Sequence, residues 1–281
     1  MPYCITKDNI KLFYKVDHAD SAQVSALLLH GFGEHCQRYD DFVHLLNNHS
    51  ISVLRFDFRG HGLSSGLKGH ITSFKDYLED LSCIGEVFEN ECKTHQKVLL
   101  AHSNGALVAT QALFHTDQFI HFDAIVLSSP FFGLKVHVPW WKRGLAHGLS
   151  QFIPKFRLPT GDHSHLLSHD SQVEIAMKQD PLAVYQASAR WFTETLKALD
   201  SVPQALKKFK LKNTPILWQV AQDDHIVDAQ RTLVLFADLE SSHKTLKLYE
   251  DCYHELWFEE ENRKKYVLQD LFAFLSDALK R

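Results

Sequence analysis

Three side chains in this sequence could together move a proton off a nucleophile: Ser103, His254 and one aspartate among Asp223, Asp224 and Asp228. Ser103 lies in His102-Ser103-Asn104-Gly105, directly after the apolar run Val98–His102 and directly before a helical stretch from Ala106. A serine hydroxyl attacks a carbonyl well only when a base removes its proton. A neutral imidazole can do this if a carboxylate fixes its tautomer and steadies the imidazolium that forms. On a sharp strand-to-helix turn the hydroxyl projects above the sheet. The residues two before and two after the serine must then be small, and Ala101 and Gly105 are. The plain alternative is a serine that caps the next helix; the position between strand and helix weighs against it. His254 stands out among nineteen histidines by its place just past the last strand-like run, in Cys252-Tyr253-His254-Glu255. Of the three aspartates after the preceding run, Asp224 is the choice, with Asp223 and Asp228 as rivals.

A second motif, His30-Gly31-Phe32-Gly33, closes an earlier apolar run. Glycines there let a backbone N–H approach a substrate oxygen. The expected oxyanion hole pairs the Phe32 N–H with the N–H after the nucleophile, that of Asn104. One such donor lowers the barrier by ~2.7–4 kcal/mol. His30 is read as holding this loop rather than reacting.

These residues need a scaffold that brings strand ends together. Ile10–Val16 reads as an early strand, and Ala26–His30, Val53–Asp57, Val98–His102, Ala124–Ser128, Ile216–Val220 and Thr245–Tyr249 as buried runs. Unbroken apolar runs mark strands covered on both faces of a parallel sheet. Helical spacing separates them at Phe74–Glu91, Ala106–Phe114, Asp228–Leu239 and Lys264–Leu279. The alternation predicts an α/β fold, a mostly parallel central sheet with helices on both faces, and ligands sit beyond the C-terminal strand ends of such sheets. From 131 to 198 no buried strand is evident, and five prolines (130, 139, 154, 159 and 181) punctuate this region and its start. This predicts a core of residues 1–130 and 199–281 with an inserted helical cap over 131–198.

The 281 residues are 45% hydrophobic and 23% charged, with a formal net charge of −4. One catalytic domain of this size is ordinary. The charge gives no basis for nucleic-acid binding, which needs a strongly cationic surface. The N-terminus lacks the basic-then-apolar pattern of a signal peptide, and no run reaches the ~18 apolar residues of a membrane span. A cytoplasmic protein, at most peripheral at a membrane, is expected. Cys4, Cys36, Cys83, Cys92 and Cys252 are odd in number and scattered, so five reduced thiols are expected. No metal or cofactor is implied, because neither a phosphate-binding loop nor paired His/Cys ligand spacing occurs. Oligomeric state is not legible.

The motifs resemble those of monoacylglycerol lipases and bacterial lysophospholipases of the α/β-hydrolase superfamily. His30-Gly31-Phe32-Gly33-Glu34-His35 with Arg38-Tyr39 resembles their oxyanion loop, and Asp57-Phe58-Arg59-Gly60-His61-Gly62-Leu63-Ser64-Ser65-Gly66 a structural loop beside it. Asp224-His225-Ile226-Val227-Asp228 and Tyr253-His254-Glu255 resemble their acid and base motifs, with Asp224 matching the acid. Asp180-Pro181-Leu182 resembles a feature ending their cap. The resemblance spans nearly the whole chain and is loose in the cap. Ala101 departs from a usual glycine, and Asn104 from a usual apolar residue. It implies hydrolysis of single-chain acyl lipids, a lysophospholipid or a monoacylglycerol, with release of a fatty acid through an acyl-serine. Alternatives are a short-chain carboxylesterase or thioesterase, a peptidase, and a binding module that has lost its chemistry.

The cap adds an expectation of its own. Residues 131–161 contain no Asp or Glu, but Lys135, Lys142, Arg143, Lys155 and Arg157 stand among Phe131, Phe132, Trp140, Trp141, Phe152, Ile153 and Phe156. Tryptophan favours the membrane interface and basic residues favour anionic lipid. Phe131, Phe132, Trp140 and Trp141 are the candidate substrate-binding residues, and the stretch is a candidate lipid-docking lid. The plain reading is that these aromatics pack the cap onto the core.

Overall fold

The computed structural model describes residues 2–115, 120–135, 140–207 and 213–280. Its strands are β1 (Tyr3–Ile5), β2 (Lys11–Asp17), β3 (Val24–Leu29), β4 (Ile51–Phe56), β5 (Gln96–His102), β6 (Ala124–Ser128), β7 (Arg157–Pro159), β8 (Gln186–Ser188), β9 (Ile216–Ala221) and β10 (Lys244–Tyr249). Its helices are α1 (Asp40–Asn48), α2 (Lys75–Glu91), α3 (Asn104–His115), α4 (Trp140–Phe152), α5 (Ser171–Gln179), α6 (Ala189–Lys207), α7 (Ala229–Asp238) and α8 (Glu261–Ala278).

Eight strands form one sheet in the order β1-β2-β4-β3-β5-β6-β9-β10. The strands from β4 to β10 in that order run parallel, while β2 pairs antiparallel with β4 and β1 with β2. The continuous apolar runs serve both faces. Leu27 and Leu29 face a layer with Phe56, Tyr77, Leu81 and Trp218. Ala26 and Leu28, the alternate residues, face a layer with Tyr39, Phe42, Trp257 and Leu271. Burying each Leu or Phe contributes about 1.5–3 kcal/mol, and this two-sided core fixes the heights at which the parallel strands end.

Between β6 and β9 lie α4, β7, α5, β8 and α6. This insertion is not wholly helical: β7 and β8 pair antiparallel. Both are three residues long, too short to show a hydrophobic period in sequence. Helix α6 runs straight through position 198, where the sequence reading ends the cap. Of the aromatic-basic stretch 135–143, positions 136–139 lie outside the described residues.

The cysteine expectation needs correction. Cys4 and Cys83 form a disulfide with their Cα atoms 6.5 Å apart, while Cys36, Cys92 and Cys252 are free and buried. The pairing joins β1 to α2 across 79 residues of sequence, and β1 is too short to be recognised as a strand. Among the described residues, no helix is long and apolar enough to cross a membrane.

Candidate active site

Ser103 sits between the end of β5 and the start of α3 with φ +50°. That left-handed conformation is costly for a side-chain-bearing residue and lifts the hydroxyl off the sheet. The turn is locked on three sides: Ser103 N–H donates to Ser128 O at 3.0 Å, and the Ser103 carbonyl accepts from Phe131 N–H at 3.1 Å and Ala106 N–H at 3.0 Å. A Cβ at Gly105 would come within 2.6 Å of His30 O and 2.7 Å of Leu29 O, so the turn admits only glycine there. The alanine at 101 is fully buried without disturbing the turn.

His254, on the loop after β10, places Nε2 2.8 Å from Ser103 Oγ and Nδ1 2.7 Å from Asp224 Oδ2. Asp224 follows β9 and is buried; its other oxygen accepts the N–H groups of Ile226 and Val227, both at 2.8 Å. A carboxylate fixed in this way must take its hydrogen bond from Nδ1–H, which leaves Nε2 free to accept the serine proton. Asp223 is exposed, and Asp228 caps α7 by accepting from Arg231 N–H. Neither bonds to His254. Burial pulls the His254 imidazole down, but the charge and hydrogen bond of Asp224, helped by the charges of Glu255 and Glu34, outweigh it; its pKa is raised.

The loop after β3 is built around a neutral histidine. Burial holds His30 down at about 3. Its Nε2 accepts from Phe58 N–H at 3.0 Å, so Nδ1 carries the proton and donates to Gly31 O at 2.6 Å. Among the described residues the Phe32 N–H finds no protein acceptor. As the first residue of α3, Asn104 holds its N–H outside the helix ladder. Both donors therefore remain available to a ligand oxygen. The Phe32 ring rests on Trp191 of α6 at 4.0 Å between centroids and edge-on to His61 at 5.1 Å.

A buried ionic cluster ties this loop to the loop that carries His254, and sequence reasoning assigned it no role. Arg38 donates to Glu34 at 2.8 Å and, through two nitrogens, to Glu255 at 2.8 and 2.9 Å. Glu34 also accepts from Gly31 N–H at 2.5 Å and Tyr39 O–H at 2.9 Å. One guanidinium thus connects the candidate oxyanion loop to the residue after His254. The Glu34/Arg38 spacing is visible in the sequence, but the partner lies 217 residues away. A second tie reaches the insertion: His35 bonds Asp180 at 2.6 Å, and Gly33 O accepts from Val184 N–H at 2.8 Å.

Ser103 and His254 open into a cavity of about 470 Å³. Its apolar wall includes Phe131, Leu134, Met177, Trp191, Phe192 and Leu196. Glu34, Glu255, Tyr185 and three histidines are the titratable groups lining it among the described residues, with no lysine or arginine among them. Phe131 belongs to the wall, but three of the four candidate substrate-binding residues do not. Phe132 is fully buried against Trp218 in the core. Trp140 is 84% exposed and Trp141 53%; α4 turns Ala146 to the cavity instead.

Candidate nucleophile, acid and base in the chain order Ser103, Asp224, His254, at the strand ends of a parallel sheet with an insertion above them, belong with a serine hydrolase of the α/β-hydrolase fold. The chain belongs to the serine aminopeptidase S33 family, whose sequence profile matches residues 20–261. It is 28% identical over 245 residues to the phospholipase YtpA of Bacillus subtilis, covering 86% of this chain and 92% of that one. It is 26% identical over 279 residues to the monoglyceride lipase of Rattus norvegicus, covering 98% and 90%. A soluble variant of the Saccharomyces cerevisiae monoglyceride lipase, solved with a substrate analog, matches with a TM-score of 0.89 at 22% identity over 99% of this chain and 94% of that one. At that identity the likeness concerns the fold.

Proposed function

We propose that this chain hydrolyses the carboxylic ester of a single-acyl lipid with an uncharged headgroup, a monoacylglycerol, through an acyl-serine intermediate. The observation that carries the reading is a Ser103–His254–Asp224 relay at the mouth of an apolar cavity whose described lining contains no lysine or arginine. Ser103 Oγ attacks the ester carbonyl as His254 Nε2 takes its proton. Asp224 steadies the imidazolium, and the Phe32 and Asn104 amides hold the oxyanion. His254 returns the proton to the leaving alcohol, then activates a water that releases the fatty acid.

The headgroup assignment follows from charge. A phosphate recognised inside the cavity would need a charge-assisted partner, and Arg38, which reaches the lining residues Glu34 and Glu255, is held by both of them. The same pairing weighs against an aminopeptidase, which needs a free carboxylate for the substrate ammonium. The names of the lipase and phospholipase relatives support lipid esters in general.

We also propose that α4 meets the lipid surface. Trp140, Leu145 and Phe152 (81% exposed) project from it, with the exposed Ile153 directly after its end, and Arg143, Lys155 and Arg157 stand near them in sequence without an acidic residue. An apolar surface beside basic side chains suits partial insertion at an anionic interface.

Labelling with a fluorophosphonate tests the chemistry directly. One adduct on Ser103 by mass spectrometry is expected, lost in Ser103→Ala and His254→Ala. A chain that takes up no label would be a binding module on the hydrolase fold.

A further inference from the structure

Among the described residues the helices hold four buried threonines, and three of them use their hydroxyls locally. Thr110 donates to Ala106 O at 2.8 Å and Thr232 to Asp228 O at 3.1 Å, each to the carbonyl one turn back. Thr193 bonds Arg190 O at 3.1 Å and shares a 2.7 Å bond with Ser150. Thr195 of α6 is different. Its side chain is 2% exposed and its Oγ1 has no hydrogen-bond partner, although any helical threonine has the same carbonyl within reach. Thr195 also lines the catalytic cavity, between Trp191 and Leu196.

A buried hydroxyl without a partner is destabilising, while a methyl of the same shape at that point would not be. A wall meant only for a hydrocarbon chain gains nothing from it. We infer that Thr195 is a specificity-determining residue whose hydroxyl pairs with an oxygen function of the bound substrate. The inference rests on the proposed ester hydrolysis and deepens it. The oxygen has two possible sources with the same chemistry: a hydroxyl or oxo group carried on the acyl chain, or a hydroxyl of the glycerol headgroup. A site that hydrogen-bonds a substrate group rejects the analogue lacking it, because its own polar atom is then left unpaired.

The test compares wild type, Thr195→Val and Thr195→Ser on matched esters: plain acyl chains and chains hydroxylated at successive positions, each as the glycerol ester and as the ethyl ester. Wild type and Thr195→Ser should favour the oxygen-bearing partner by about three- to tenfold in kcat/KM, the range of one ordinary hydrogen bond. Thr195→Val should lose that preference while melting at a higher temperature. Preference among acyl chains places the oxygen on the chain, and preference for glycerol over ethyl esters places it on the headgroup. Ratios unchanged within twofold in an active Thr195→Val overturn the inference and leave the hydrolase reading standing. A wild type that turns over none of these esters removes both.

Discussion

At the level of single residues the site is a set of fixed tautomers. Asp224 determines which His254 nitrogen faces Ser103, and Phe58 and Gly31 do the same for His30. His254 must be neutral to act as base, so activity falls as pH drops through its pKa. Because that pKa is raised, the acid limb of kcat/KM should have its midpoint above the ~6.5 of an ordinary imidazole. Asp224→Asn removes the raising charge and should lower kcat by roughly 10⁴-fold through the wrong tautomer; a pH–rate profile of both proteins checks the midpoint and the loss together. Arg38 acts at one remove, as a positioning residue. Arg38→Gln leaves Glu34 and Glu255 buried without their counter-ion, a loss of about 3–5 kcal/mol, readable by urea unfolding. Displacement of the two loops that Arg38 joins should cost up to about 10²-fold in kcat, with less effect on KM. If kcat were unchanged in folded Arg38→Gln, the link between the loops would have no part in the chemistry.

At the level of elements, the buried strands and the long helices were legible because one physical signal defines each of them. Val98–Ala101 and Ala124–Leu127 are apolar throughout because both faces of the sheet are covered, and Phe74–Glu91 keeps one apolar stripe. The insertion was less legible because its elements are short and its aromatics face two ways. Phe131 points to the cavity, Phe132 to the core and Trp140 to solvent, and no local pattern separates these three fates. That Ser103, Asp224 and His254 meet could be anticipated from their places after strand ends, whereas the Arg38 cluster depends on a contact between distant loops. Helix α4 carries its own prediction. Replacing Trp140, Trp141 and Phe152 by alanine should weaken flotation with anionic liposomes by about tenfold or more, since each aromatic is worth ~1.5–3 kcal/mol on burial. Turnover of a water-soluble short ester should hardly change. Equal flotation of both proteins would mean that α4 stays in water.

Across the whole molecule, the sheet brings residues from 30 to 255 to one end, and the insertion roofs them. The Cys4–Cys83 disulfide closes a long loop at one edge of the sheet, where β1 is held by three residue pairs. Cys4→Ser should lower unfolding stability by ~2–4 kcal/mol, measurable as an earlier urea midpoint, while esterase activity per folded molecule stays the same. The overall charge of −4 gives no long-range pull on anionic substrates, and the described cavity lining adds no lysine or arginine, in keeping with the proposed preference for an uncharged headgroup. Steady-state hydrolysis of a monoacylglycerol against the lysophosphatidylcholine of the same acyl chain, with Ser103→Ala alongside, is the most direct test. The account predicts Ser103-dependent turnover at least tenfold higher in kcat/KM for the monoacylglycerol. Equal or faster turnover of the lysophospholipid would contradict the uncharged-headgroup assignment, and turnover that survives Ser103→Ala would contradict the relay itself.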